Sequence, residues 1–286
     1  VETDQTSRGY AFVAGAPLLT TVSRKYDDVL PALNLAFDAT DDIVLRFAAA
    51  SVMSRPGLGF LSPGGTVSVS GNNRTVTFGN PALDPFEADA YDVALEWYFA
   101  PESLFSLSLF YKDVKSFVQT IRETGPFNEN PFGLPDSVAI AACGTTPGCD
   151  ASAEWTFNVP GNTPGGSLEG YELSFQAPFT FLPGAFRHFG TILNYTYVDS
   201  KVQYLNATGA VVARESLNGL SKKAYNATLY YDHAGFHARA SVAYRDEYLT
   251  NVPGRNGNIL EGTAETLTVD FSTSFTARGR HDVKFG

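Results

Sequence analysis

The stretch Asn80–Glu123, NPALDPFEADAYDVALEWYFAPESLFSLSLFYKDVKSFVQTIRE, changes chemistry at every second residue over most of its length. From Asp89 to Phe99 the odd positions hold Tyr91, Val93, Leu95, Trp97 and Phe99, while the even ones hold Ala90, Asp92, Ala94, Glu96 and Tyr98. Successive side chains of a strand point to opposite faces, so a period of two predicts a strand with one apolar and one wet side. After Ala100-Pro101-Glu102-Ser103 the pattern resumes, with Phe105, Leu107, Leu109 and Tyr111 opposite Ser106, Ser108, Phe110 and Lys112. Two long strands around one tight turn follow.

Carboxylates and a lysine on the wet face could not sit in a packed sandwich core. The hairpin therefore belongs either to a soluble sheet with its polar face outward or to a membrane barrel with its polar face inward. Steps of about 3.3 Å from Tyr91 to Phe99, tilted by about 40°, give roughly 20 Å of height, close to the apolar band of about 25 Å in a barrel. The same design recurs along the chain. Val29, Leu33, Leu35 and Phe37 turn at Asp38–Asp42 into Ile43, Leu45 and Phe47; Tyr171, Leu173 and Phe175 turn near Pro183-Gly184 into Phe189, Leu193, Tyr195 and Tyr197. Tyr225, Ala227, Leu229 and Tyr231 turn at Asp232–Gly235 into Phe236, Ala238, Ala240, Val242 and Tyr244, and Leu267, Val269, Phe271 and Phe275 follow. Nine full strands and a tenth starting near Asp282 are predicted, with residues 1–25 a loop holding at most a short strand.

Connections alternate in length, short at 38–42, 100–103, 178–187, 232–235 and 277–281, long at 56–86, 123–167, 200–221 and 250–263. Outer-membrane barrels have this asymmetry, with short periplasmic turns and long outer loops. Charged residues on the apolar face, Asp89, Asp113, Glu169, Lys223 and Asp246, fall toward the long-loop ends. Phe37, Trp97, Phe99, Phe105, Tyr231 and Phe236 would form the inner aromatic girdle, and Tyr91, Tyr111, Tyr171, Tyr197, Tyr225 and Tyr244 the outer one. The expected fold is all-β, an antiparallel up-and-down transmembrane β-barrel. About ten strands with so much lumen charge cannot close by themselves, since a small barrel is filled by side chains. Residues 1–286 are thus expected to be one part of a larger barrel.

With 44% hydrophobic residues and 17% charged ones, the 286-residue chain has an ordered composition. A net charge of −10 leaves no basic stripe for nucleic acid. No run of about 18 apolar residues marks a helical span, a test that barrel strands escape. Val1 carries no secretory pattern. Cys143 and Cys149, in a turn-rich stretch far from the scattered His188, His233, His237 and His281, are expected to form a disulfide, which implies an oxidising compartment.

Leu30-Pro31-Ala32-Leu33-Asn34-Leu35, Arg46-Phe47-Ala48-Ala49, Ser54-Arg55-Pro56, Asn80-Pro81 with Leu83 and Pro85, Tyr91 through Phe99, Leu109 through Asp113 and Arg245-Asp246-Glu247-Tyr248-Leu249 occur in an order that resembles the barrel of the TonB-dependent outer-membrane receptors. The resemblance covers most of the chain and is nearest to the branch common in Caulobacter-like, sphingomonad and Xanthomonas-like bacteria. Asp84 departs from it, since the family often has a basic residue before the proline. The resemblance implies a 22-stranded barrel in the Gram-negative outer membrane, with the plug domain, its TonB box, the first strands and the last strand or two lying outside these residues. It also implies uptake of a scarce solute, a carbohydrate or an iron-siderophore, energised through TonB. The implied partners are outer-membrane lipid and lipopolysaccharide, TonB through the plug, the small-molecule or oligosaccharide substrate and a periplasmic binding protein downstream. A passive porin and a soluble β-sandwich binding module are the alternatives.

No nucleophile elbow, phosphate-binding loop, dinucleotide fingerprint or zinc motif occurs, so no enzyme, cofactor or metal is expected. Recognition belongs on loops carried by a rigid scaffold. Aromatic faces and planar amides there make Asn130, Phe132, Trp155, Phe157, Asn158 and Tyr204 the candidate ligand-binding residues, although loop aromatics more often pack on neighbouring loops. Arg46, Asp92, Glu96, Lys112, Glu172, Gln176, Arg239 and Arg245 are expected to face the lumen, against plug and water.

Overall fold

The computed structural model describes residues 1–13, 16–255, 257–276 and 282–285. In chain order the elements are β1 (Glu2–Val13), β2 (Ala16–Asp27), β3 (Ala32–Thr40), β4 (Ile43–Ser54), β5 (Gly65–Ser70), β6 (Asn73–Phe78), β7 (Phe86–Ala100), β8 (Ser103–Pro126), α1 (Asp136–Cys143) and β9 (Glu154–Pro178). They continue with β10 (Phe189–Leu205), β11 (Val211–Glu215), β12 (Lys223–His233), β13 (Phe236–Arg245), β14 (Tyr248–Asn251), β15 (Glu261–Thr263), β16 (Thr266–Thr276) and β17 (Asp282–Phe285). Ten of these form one antiparallel meander, β3-β4-β7-β8-β9-β10-β12-β13-β16-β17, each hydrogen-bonded to the next. β11 adds to β10, and the β5–β6 hairpin joins β9 through a short parallel pairing at Thr75–Thr77.

Register keeps the two chemistries apart. Leu45, Leu95, Leu107 and Leu173 lie opposite one another across β4, β7, β8 and β9, and Ala94 pairs with Ser108, Ser108 with Glu172, and Glu172 with Thr196 on the other side. A slip of one residue would exchange the faces, so the chemical difference between the two sides fixes the alignment. The apolar face has no second layer over it. Leu35, Val93, Leu109, Leu229 and Phe271 are exposed, and Leu95, Leu107 and Leu173 are only half-buried. A soluble sandwich would have buried all eight; a lipid-facing wall leaves them as they are.

Three connections of the meander are two-residue turns at one end, Asp41-Asp42, Pro101-Glu102 and Ala234-Gly235. Ala234 and Gly235 both have positive φ, 53° and 83°, which matches the twist of the flanking strands. The fourth short connection spans residues 179–188, and the one expected at 277–281 lies outside the described residues. Long connections all leave the opposite end. The expectation of a loop over residues 1–25 is corrected: β1 and β2 form a twelve-rung hairpin standing apart from the main sheet. The long loops also hold more structure than alternation suggested, with β8 running on to Pro126, β9 starting at Glu154, and α1, β5, β6, β11, β14 and β15 between the wall strands.

β9 is held closely on both sides. A β-carbon at Gly165 would overlap the carbonyl of Val114, one at Gly166 that of Lys201, and one at Gly170 that of Tyr197. Lys115 bulges from β8 beside this run, where Ala88 pairs with Val114 but Glu87 with Ser116.

Candidate functional site

Beyond the tyrosine row of Tyr91, Tyr111 and Tyr171, β8 and β9 continue as a paired ribbon up to Pro126 and Glu154. The fifteen further residues of β8 reach about 50 Å along the strand. This ribbon carries two small hydrophobic cores outside the wall. In the first, Val76, Phe127, Leu134, Ala139, Trp155 and Phe157 are buried together beneath α1 and the β5–β6 hairpin. Cys143 ends α1 and is disulfide-bonded to Cys149, and the Asp150 carboxylate accepts from the Ser152 hydroxyl and from the backbone N–H groups of Ser152 and Ala153. These bonds, the Ser152 hydroxyl first, hold the Asp150 carboxyl below the usual carboxylate range. In the second core Phe117, Val202, Tyr204 and Val252 pack together.

Between the β1–β2 hairpin, the glycine-rich run 57–65, β6 and the β8–β9 ribbon lies an open cleft of about 710 Å³. Tyr10, Phe60 and Phe78 give it aromatic walls, and Ser62, Thr66, Thr77, Thr120 and Asn158 supply hydroxyls and an amide. Among the described residues that line it, none carries a charged side chain. Its glycines permit close backbone approach: a β-carbon at Gly64 would stand 2.7 Å from the Tyr10 carbonyl oxygen.

The walls are fixed from behind. Gln5 donates to the Pro81 carbonyl at 3.1 Å, Arg55 to the Thr3 hydroxyl at 2.8 Å, and Arg24 to the Leu83 carbonyl at 2.6 Å. Asp84, the position that departs from the family pattern, pairs with Arg24 at 2.6 Å. Its backbone is clasped by Asn162, which accepts from the Asp84 N–H at 2.8 Å and donates to the Asp84 carbonyl at 3.0 Å.

Of the six candidate ligand residues, Asn158 lines the cleft, donating to the Thr77 hydroxyl at 3.4 Å and accepting from Arg122 at 3.2 Å. Phe132 is half-buried and stacks on the cleft residue Phe78 with ring centroids 4.5 Å apart. Asn130 spends its amide on local backbone, bonding Phe127, Phe132 and Leu134. Trp155 and Phe157 fill the first core, and Tyr204 the second. Burial pushes the Tyr204 hydroxyl up to about 12, and that hydroxyl donates to the Ser216 carbonyl at 2.9 Å. Tyr10, Phe60, Phe78 and Thr120 escaped the sequence argument, and the run Gly57-Leu58-Gly59-Phe60-Leu61-Ser62-Pro63-Gly64-Gly65 was the signal that could have found one wall of the cleft, the one that carries Phe60.

The eight residues expected in the lumen occupy one face of the sheet by register, from Arg46 and Asp92 through Glu96, Lys112, Glu172 and Gln176 to Arg239 and Arg245. Arg46 and Glu96 form a two-pronged ion pair at 2.8 and 3.1 Å, and Tyr98 adds a hydrogen bond to Glu96 at 2.9 Å.

No curated relative matches by sequence. Among solved structures, the ferric enterobactin receptor of Pseudomonas aeruginosa in complex with enterobactin superposes with a TM-score of 0.55 at 16% identity, covering 96% of this chain and 37% of that one. The siderophore receptor PirA of Acinetobacter baumannii gives 0.53 at 14% identity over 88% of this chain and 35% of that one. The copper transporter OprC gives 0.54 at 13% identity over 93% and 34%. At these identities the likeness establishes the fold, and the chain spans about a third of the length of the proteins it resembles. The profile described as TonB dependent receptor-like, beta-barrel matches residues 2–285. A meander with an uncovered apolar face, short turns at one end and a structured crown at the other thus belongs to the TonB-dependent receptor β-barrel family, resident in the Gram-negative outer membrane.

Proposed function

We propose that this chain is part of the barrel of a TonB-energised transporter that captures a scarce, neutral, hydroxyl-rich solute, a carbohydrate, at its outer face. In the whole protein a plug and further strands complete the barrel, and the polar face carrying Arg46, Asp92, Glu96 and their neighbours meets that plug. The single observation that carries the substrate reading is the cleft, where aromatic faces, an amide and hydroxyls meet with no charge among the lining residues. Sugars stack on aromatic rings and hydrogen-bond to planar amides, and a cleft of this size lies within the range of about 300–1,000 Å³ that takes small ligands. An anionic iron chelate calls for cationic donors, which that lining lacks. Ferric chelates remain the second reading, because proteins of the same fold are named as a ferric enterobactin receptor and a ferric citrate transporter.

Calorimetry on the full-length protein with a panel of neutral oligosaccharides and of ferric siderophores tests the assignment. Binding of an oligosaccharide, weakened by Asn158→Ala, supports it; binding of a chelate alone moves the substrate to the second reading. Uptake in cells that survives collapse of the proton gradient would remove TonB energisation and restore the passive porin.

A further inference from the structure

The turn between β9 and β10, Phe179-Thr180-Phe181-Leu182-Pro183-Gly184-Ala185-Phe186-Arg187-His188, has ten residues where three other turns at the same end have two. Its length is used to present aromatic surface. Phe181 is 77% exposed and Phe186 65%. Both rings lead back to the lipid wall: Phe181 touches Phe179, whose N–H donates to the Phe189 carbonyl, at 6.0 Å between centroids, and Phe186 leads through Phe189 to Tyr231 and Phe236 at 6.3, 4.9 and 6.1 Å.

Nitrogen-bearing side chains gather at the same spot. His188 stacks on His233 with centroids 3.8 Å apart, and its neighbour Arg187 is exposed. Burial first, then His233 and Arg187, hold the His188 imidazole below its usual value, opposed by Asp232. Asp232 is engaged elsewhere, 3.2 Å from the imidazole of His237. Among the described residues the cluster thus holds one permanent cation and two imidazoles beside a single carboxylate that is engaged elsewhere. An anion is the partner that these groups suit.

We propose that this turn seats in the headgroup layer of the periplasmic leaflet, Phe181 and Phe186 entering the acyl region while Arg187, His188 and His233 hold the phosphate of a phospholipid. Continuity of the rings with the lipid-facing wall puts them at bilayer depth, as aromatic residues at membrane interfaces are. A guanidinium fork suits a phosphate, and an anion beside an imidazole favours its protonated, hydrogen-bond-donating form.

The test uses full-length protein in vesicles of phosphatidylethanolamine and phosphatidylglycerol, with a nitroxide label on Phe181→Cys. The label is expected to be relaxed more by oxygen than by a water-soluble nickel chelate; the reverse order overturns the seating. For the phosphate, native mass spectrometry should show roughly five-fold less retained phosphatidylglycerol in Arg187→Gln than in the unaltered protein. His188→Gln/His233→Gln should lose retention too, with heat-modifiable gel migration showing that each barrel has folded. Equal retention in folded variants overturns the phosphate site. Displacement of the lipid by millimolar inorganic phosphate would assign a free-anion site and overturn the lipid.

Discussion

Asp89 and Asp113 stand directly opposite one another on β7 and β8, and Lys115 reaches both, at 3.1 and 2.5 Å. Like charges across a ladder repel, and the bulged lysine offsets that repulsion. Tyr91 and Tyr111 sit two residues lower with rings 6.5 Å apart. Below them the apolar face of β7 and β8 carries no charge, so this trio marks the upper limit of the lipid band.

Position relative to that limit predicts opposite outcomes for neighbouring residues. Leu107→Arg, on the lipid face, should cost about 2 to 4 kcal/mol. Ser108→Arg, on the lumen face, should cost less than about 1 kcal/mol. Urea titration of barrel refolding into lipid vesicles reads both, and equal costs would mean that the faces are misassigned.

The disulfide closes a short loop on the first crown core. Cys143→Ser/Cys149→Ser should loosen residues 127–153 by about 2 kcal/mol through lost chain restraint. Hydrogen exchange should show the change there and leave the β7–β8 wall protected.

Trp155→Ala removes a side chain that is 1% exposed and packs edge-on to Phe127. A loss of about 3 to 5 kcal/mol in the crown is expected. Solute binding should fall only as far as crown unfolding accounts for, because Trp155 does not line the cleft. Binding lost with full exchange protection would restore Trp155 as a ligand contact.

Acid should release the same region from another side. The Asp150 carboxyl is lowered in the fold, so its hydrogen bonds stabilise the crown above the unfolded value near about 3.9 and lose that effect as pH falls through the folded value. Exchange protection of residues 150–155 should drop in that acidic window, and Asp150→Ala should start low and show no such step.

Ala234 holds a positive φ of 53°, which an alanine adopts at a cost of about 1 kcal/mol. Ala234→Gly should therefore stabilise the β12–β13 hairpin slightly, seen as slower unfolding of the isolated barrel in urea. Destabilisation would mean that the methyl group packs.

Where one side of a strand meets lipid, the sequence declares it, as from Tyr91 to Phe99. Above the membrane no single side is apolar, and alternation fades. β1 and β2 stand there, with polar Thr3 and Ser7 as their buried residues, so no period of two announced them. Upper β9 is masked differently, by Pro160 and Pro164, which ordinarily argue against a strand. Both fall between the segments that pair with β6 and β10, where one edge has no partner and a missing N–H costs nothing. Trp155, Phe157 and Tyr204 were drawn into the crown cores by the same apolar character that made them attractive as ligand contacts. The cleft was hidden because its walls come from stretches distant in sequence, and only folding brings Tyr10 to Phe78.

The glycines of β9 act on assembly. With Gly165, Gly166 and Gly170 each facing a neighbouring carbonyl, the strand resembles a key with three notches cut for its wards. Sliding it along β8 or β10 would bring bulky residues such as Leu168 or Tyr171 against those carbonyls. Only one seating closes the lock, so the strand whose upper half the prolines disguise is the one that indexes its neighbours.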